Sequence, residues 1–432
     1  MEKNGNGKEY NREGEIDSEI KEGNGKGKEY NKYGELIFKG EYLNGERWNG
    51  KGEEYYYNGN LKFKGEYLNG KRWNGKGNEY YYNGKLKFEG EYLNGKRWNG
   101  KGYNKEKKID FEIKEGNGKG KEYDYDGKLI FEGEYLNGER NGLGKEYDYR
   151  SGKLKFEGEY FYGVRYGKGK EYNYLGKLKF EGEYLEGKRW NGIGYNIEGK
   201  IEFQIKEGNG KIKEYNYDDI LIFEGEYLNG DRNGSGKEYN SDGTLKFEGE
   251  YLKGERNGKG KEYYSNVKLK FEGDYLNGKR NGIGKEYYDD GTLKFEGEYL
   301  NGERNGIGKE YNYINDKLEF EGEYLNGKRN GKGKEYYYEG TLKFEGEYIN
   351  GQRNGKGKEY CFIGKLEFEG EYLNDKRTGK GKEYYSNGRL KFEGEYLLGE
   401  RNGIGKEYTY FGKLEFEGEY LNGERYKKCQ IF

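Results

Sequence analysis

"FEGEYLNGKRNGKGKEY", Phe320–Tyr336, returns in close variants along nearly the whole chain, and its internal spacing decides the fold. With the Phe as register mark, the phrase restarts at Phe38, Phe63, Phe88, Phe131, Phe156, Phe180, Phe223, Phe247, Phe271, Phe295, Phe320, Phe344, Phe368, Phe392 and Phe416. The steps are 24 or 25 residues, except for two of 43. Each long step hides a shortened copy, "FEIKEGNGKGKEY" from Phe111 and "FQIKEGNGKIKEY" from Phe203, and a third, "SEIKEGNGKGKEY", starts at Ser18. A fixed period in this range marks a repeat architecture.

Each copy reads as two strands. In "TLKFEGEY" (Thr244–Tyr251), Leu245, Phe247, Gly249 and Tyr251 alternate with Lys246, Glu248 and Glu250, the period of a half-buried strand. The second strand, "GKGKEYY", alternates weakly, and its inward face stays open. Two turns join the strands: the Asn-Gly-rich "LNGKRNG", and a short one such as "DDGT" (Asp289–Thr292) or "SNGR" (Ser386–Arg389). Asn-Gly and Asp-Gly supply the positive φ that hairpins need. Gly322, between Phe320 and Tyr324, leaves a gap for a ring from a neighbouring strand.

The expected fold is therefore all-β: an elongated, single-layer antiparallel meander of about 18 stacked hairpin repeats, solenoid-like in organisation. At ~4.8 Å per strand it would run about 170 Å, with stability close to a nearest-neighbour sum. Residues 1–14 read as a partial repeat and 15–426 as the array, with shortened repeats near 18–30, 111–123 and 203–215. Residues 427–432 are a tail.

Composition agrees with a thin core. Of 432 residues, 31% are hydrophobic and 18% aromatic, with 81 Gly, no Pro and no His. Such polarity is also a mark of disorder, but regularly placed Phe and Tyr are not. Lys plus Arg (80) balances Asp plus Glu (81), for a net charge of −1, so no long-range field draws the chain to nucleic acid or an anionic membrane. Cys361 and Cys429 form at most one disulfide, which rules out a disulfide-built secreted scaffold. No apolar leader or membrane-length segment is visible, so the expected address is the cytoplasm. The sequon Asn233-Gly234-Ser235 follows from the frequency of Asn-Gly.

Phe320, Gly322, Tyr324, Gly327, Gly331 and Gly333 follow the spacing aromatic-x-Gly-x-aromatic-x-x-Gly-x-x-x-Gly-x-Gly. That pattern resembles the MORN repeat (membrane occupation and recognition nexus). The segment "KEYYxNGxLKFEGEY" also resembles a variant MORN repeat of bacterial proteins, some labelled antitoxins. The resemblance covers roughly residues 15–426. It departs in using Phe for the first Tyr, in its slightly long step and in three truncated units. It implies an elongated single-layer sheet and roles in membrane-associated scaffolding, protein binding or phospholipid binding. Fold alone does not choose among these.

Catalysis is not expected. Without His, the usual general base is missing. Glu248 and Glu250 share a strand face at ~6.6 Å between Cα atoms, yet "FEGEY" occurs twelve times, as a solvated face with Glu opposite Lys would. No phosphate loop is present, and "DYDG" (Asp124–Gly127) is too short to hold calcium. We expect no enzyme, cofactor or metal. A nucleic-acid groove would carry excess positive charge, whereas Glu offsets each basic run here.

Three features break the phrase. The loop "NGKRNGKGK" (Asn326–Lys334) gathers Lys328, Arg329, Lys332 and Lys334. If repeats stack in register, these form a basic edge for anionic lipid or acidic partners, or one that merely keeps the sheet edge soluble. Trp48, Trp73, Trp98 and Trp190 all occupy "RWNG", expected on loops, as partner contacts or packed on the next hairpin. Last, Cys429-Gln430-Ile431-Phe432 after Lys427 and Lys428 fits a prenylation box, giving reversible membrane attachment in a eukaryotic source, or is a ragged array end. The leading reading is a non-catalytic scaffold for protein partners, at the cytoplasmic face of a membrane or in the cytoplasm. The alternatives are an acidic-phospholipid module and an antitoxin-like regulator.

Overall fold

A computed structural model describes residues 7–10, 16–21, 24–31, 33–44, 46–48, 50–68, 71–72, 74–216 and 218–428. Each full repeat from Phe88 onward is two antiparallel strands, as the alternation predicts. In the repeats from Phe38 and Phe63 the second strand is described in two pieces, Glu46–Arg47 with Gly50–Tyr55 and Lys71–Arg72 with Gly75–Tyr80. In the phrase quoted above the two strands are a Phe strand, Leu318–Leu325, and an Arg strand, Lys328–Tyr336. Asn326 (φ 49°) and Gly327 (φ 78°) join them, the double positive φ of a type I′ hairpin that Asn-Gly favours. The short turn after the Arg strand closes when Gly340 N–H donates to the Tyr337 carbonyl at 2.7 Å, with Gly340 at φ 91°. Successive repeats pair edge to edge, Gly333 opposite Gly346 and Glu335 opposite Phe344. The result is an open meander.

The chain divides into two units, residues 1–219 and 220–432. In the first, a 12-stranded sheet ends at Ile113 and an 8-stranded sheet runs from Gly118 to Ile205. Both ends are shortened repeats, where a tight turn at Glu115 (φ 54°) and Gly116 (φ 74°) leaves a lone bridge, Lys114 to Asn117. In the second unit, every strand from Leu221–Leu228 to Glu424–Lys428 pairs with its sequence neighbours.

The core is a line of rings. Phe320 is fully buried. It meets Tyr324 of its own strand at 5.6 Å and Tyr348 of the next repeat at 5.3 Å, both edge to face, the arrangement that aromatic quadrupoles favour. Gly322 is covered by Phe320 of its own strand rather than by a neighbour's ring. A Cβ there would stand 2.8 Å from Phe320 Cζ and 2.6 Å from the Gly333 Cα. Gly333 lies under the same Phe320 ring, with Tyr348 of the neighbouring repeat next to it, 3.3 Å from where a Cβ would stand.

Candidate functional site: a glycine-floored channel

The second strand, whose inward face the sequence left open, turns Arg329, Gly333 and Glu335 towards the rings. Three residues, Asn330–Lys332, face only Glu323 in the partner strand, a bulge that keeps Arg329 and Gly333 on one side. The Arg329 guanidinium lies 4.2 Å above the Phe320 ring and reaches three carboxylates, Glu310 at 2.5 Å, Glu335 at 3.6 Å and Glu319 at 3.8 Å. Arg353 repeats the first two contacts with Glu335 at 2.5 Å and Glu359 at 2.8 Å, and Arg304 with Glu286 at 2.8 Å and Glu310 at 2.5 Å. Each Arg thus bridges its own Glu to that of the preceding repeat. A lattice of Arg, Glu and Tyr caps the rings where a second sheet would otherwise be needed.

Burial raises the cost of these charges, and the pairing reverses it. Burial pushes the Glu383 carboxyl up, but Arg401, hydrogen-bonded at 2.6 Å, and Tyr396 hold it down at about 2. Glu79 is likewise held at about 2 against its burial by the charge and bidentate hydrogen bonds of Arg97 (2.9 and 2.7 Å), aided by Tyr92. These charges are structural.

The chemistry open to a partner lies on the opposite face. There the glycines from Gly308 to Gly405 form the floor of a channel of about 1110 Å³ in the second unit. Its walls take alternate signs from successive strands: Lys334 opposite Glu345, Lys358 opposite Glu369, Lys382 opposite Glu393. A second channel, about 840 Å³, lies within the first unit between Asp110 and Glu183. The expected pairing of Glu with Lys is present. Lys334 lies 3.9 Å from Glu321, which also accepts the Tyr336 hydroxyl at 2.7 Å.

Two expectations need correction. The basic edge does not form: only Asn326 and Gly327 make the turn, Arg329 is drawn under the sheet, and Lys332 and Lys334 stand opposite Glu347 and Glu345 in strands. The tryptophans are not all on loops. Trp98 and Trp190 lie within strands, Lys96–Tyr103 and Lys188–Tyr195, because one extra residue makes a bulge after Arg97 and Arg189. Trp98 accepts the Gly116 N–H on its carbonyl at 2.7 Å, and its ring seats on Gly116, so it packs on the turn of the shortened repeat. Trp190 does the same by its carbonyl to Gly208. Trp48 sits between Glu46–Arg47 and Gly50–Tyr55, half-buried. Trp73 and Cys429 lie outside the described residues, and the backbone of Lys427 and Lys428 ends the last strand.

These features define a class, an open-sheet β-hairpin repeat protein with an aromatic and Arg–Glu core and a channel on its outer face. The MORN repeat matches residues 131–151, 223–245, 247–266, 271–293, 295–315, 320–342, 344–365, 368–388 and 392–409, and the MORN repeat variant matches 48–69, 73–94 and 117–137. The chain belongs to the MORN-repeat family. No curated protein sequence matches it. Among solved structures, it is 11% identical to TcdB2-TccC3 without its hypervariable C-terminal region, covering 96% of this chain and 28% of that one, with a TM-score of 0.15. The Photorhabdus luminescens Tc holotoxin pore gives 11% identity, 96% and 27% coverage and a TM-score of 0.15. At those TM-scores neither bears on fold or function.

Proposed function

We propose that the chain is a non-catalytic scaffold that binds segments of partner proteins along its glycine-floored channels. The observation that carries this is the channel wall. Lys and Glu alternate from strand to strand, at ~4.8 Å per strand, so a polypeptide laid along the floor meets a donor or an acceptor at each step. An anionic bilayer would instead meet a wall in which each Lys stands opposite a Glu, with little net attraction.

The test uses the full chain and a triple reversal, Lys334→Glu, Lys358→Glu and Lys382→Glu. Lysine-directed cross-linking in host extract should join a partner to these walls in the wild type and lose it in the reversal. Identical partner sets for both proteins would overturn the channel reading. Flotation with phosphatidylserine vesicles, undiminished in the reversal, would replace it with lipid binding.

A further inference from the structure

The phrase fails conspicuously at one hairpin. Where other repeats read "LNGKRNG", residues 161–167 read "FYGVRYG". Phe161, Tyr162, Val164 and Tyr166 are all 43–58% exposed. The rings touch: Phe161 lies 4.5 Å from Tyr162, edge to face, and 5.5 Å from Tyr166. Val164 stands opposite Phe161 in register. No charged side chain remains at the hairpin tip, where neighbouring repeats carry Glu139 or Lys188.

Backbone strain points the same way. Tyr162 occupies the first turn position at φ 47°, where Asn137, Asn229 and Asn326 sit at φ 53°, 54° and 49°. Asn tolerates this region at lower cost than side chains with a longer Cβ branch, and Glu186, Lys253 and Leu398 hold the same turn position at φ 51°, 49° and 52°. Tyr162 is the one aromatic residue with positive φ among the described residues. What sets Tyr162 apart from Glu186, Lys253 and Leu398 is the ring, which the turn holds out beside Phe161.

The neighbouring wall supplies the sign of the ligand. At the position of Lys259, which pairs with Asp274 at 2.7 Å, the preceding repeat carries Leu143, 64% exposed and opposite Glu159. Glu159 therefore faces an aliphatic side chain across one strand pair, as Glu298 faces Ile283, and across the other it faces the Tyr166–Lys168 bulge and accepts the Lys168 backbone N–H at 3.3 Å. An apolar, ring-lined tip beside a carboxylate that makes no side-chain ion pair among the described residues is complementary to a segment that couples aliphatic side chains to Lys or Arg. Tyr rings favour such cations as well.

We propose that the Phe161–Tyr166 hairpin, with Leu143 and Glu159, docks a basic, aliphatic segment of a partner protein. This rests on the reading of the chain as a protein-binding scaffold, with Leu143 lining the first-unit channel and none of these residues lining the second-unit one. The probe is a fluorescein-labelled peptide, Lys-Leu-Leu-Lys-Lys-Leu-Leu-Lys, with its Glu-for-Lys counterpart, titrated by anisotropy against the full chain. Restoring the common phrase (Phe161→Leu, Tyr162→Asn, Val164→Lys, Tyr166→Asn) removes the patch while relieving strain, so misfolding does not confuse the outcome. We expect the Lys peptide to bind and the Glu peptide not to, and the restored variant to lose at least about tenfold in affinity. Glu159→Lys should lose several-fold, and the Lys334/Lys358/Lys382 reversal should leave binding unchanged. Wild-type affinity in the restored variant, or equal binding of both peptides, overturns the proposal. So does concentration-dependent dimerisation that the restored variant abolishes, which would assign the patch to a second copy. Tighter binding of the Lys peptide by the wall reversal alone, whose new carboxylates attract it, would assign it to the channel, separating the two readings.

Discussion

In the second unit the ring line and the Arg–Glu lattice run from Phe223 towards Tyr420, whereas in the first unit both are interrupted at the shortened repeats. The difference is chemical before it is geometric. A shortened repeat deletes the stretch carrying Tyr, the Asn-Gly turn and Arg, and its register sets Ile113 opposite Gly100, where other repeats pair a Tyr with this Gly. The strand before it also ends "GKGY" rather than "GKGKEY", so Gly102, not a Glu, stands opposite Phe88. Arg97 consequently takes Glu79 and has no Glu on its own strand. Phe111 stacks nearly parallel on Phe88, at 6.4 Å and 19°, in place of the usual edge-to-face contact. Cohesion between repeats thus depends on the Tyr, Arg and Glu of each, and the backbone ladder stops where they are missing.

The strongest way to break this comparison is to remove a ring. Phe320→Ala should cost about 3–5 kcal/mol locally, seen as lost hydrogen-exchange protection at the amides of Gly333 and Tyr348. Phe111→Ala, at the end of a sheet, should cost clearly less; equal costs would mean that the shortened repeats are as cohesive as the rest. Next, Arg353→Gln leaves Glu335 to Arg329 alone and Glu359 to Arg377 alone, at a cost of about 2 kcal/mol. Protection should fall on both flanking repeats, but only on the N-terminal side for Arg97→Gln, and a symmetric loss there would contradict the interrupted lattice.

Acid should treat the two units alike. Glu79 in the first and Glu383 in the second are both held at about 2, below the ordinary 4.5. A depressed carboxyl contributes stability above its unfolded value and loses it as pH falls from about 4.5 towards 2. All four tryptophans precede residue 219, so indole fluorescence reports the first unit while far-ultraviolet dichroism reports both. Their acid midpoints should coincide; separate midpoints would show that the interruptions set acid stability.

A smaller effect is expected from Trp98→Ala, about 1–2 kcal/mol for a half-buried ring on a turn. It should lower protection near Gly116 and leave the second unit unchanged. The smallest has the opposite sign. Tyr162→Asn should stabilise its hairpin by ~1 kcal/mol by relieving the positive φ, measured by urea unfolding.

Much of this was legible in the residues. The alternation of Leu318, Phe320, Gly322 and Tyr324 marks one strand, and Asn326-Gly327 marks its turn. The second strand hides its inward face because the residues placed there, Arg329, Gly333 and Glu335, are those that hydropathy assigns to solvent. What they had in their favour was recurrence at fixed spacing. The basic edge was misjudged for the same reason, since Arg329 counts as a surface charge until its stacking on Phe320 is seen. Trp98 was misplaced because a single bulge residue extends the strand through it. The hairpin at Phe161 was readable as a departure from the phrase, yet only the exposure of its rings and the turn at Tyr162 give that departure meaning.

The bridging habit of the arginines has a consequence for how such a chain changes over generations. Arg329 binds Glu310 behind it and Glu335 beside it, and Arg353, 24 positions later, does the same one step on. Excising residues 320–343 would set Arg353 against Glu310 as Arg329 is now, and Phe344 into the seat of Phe320. Unequal crossing-over could therefore add or drop whole repeats without inventing a contact, making length in steps of one repeat the trait most freely offered to selection.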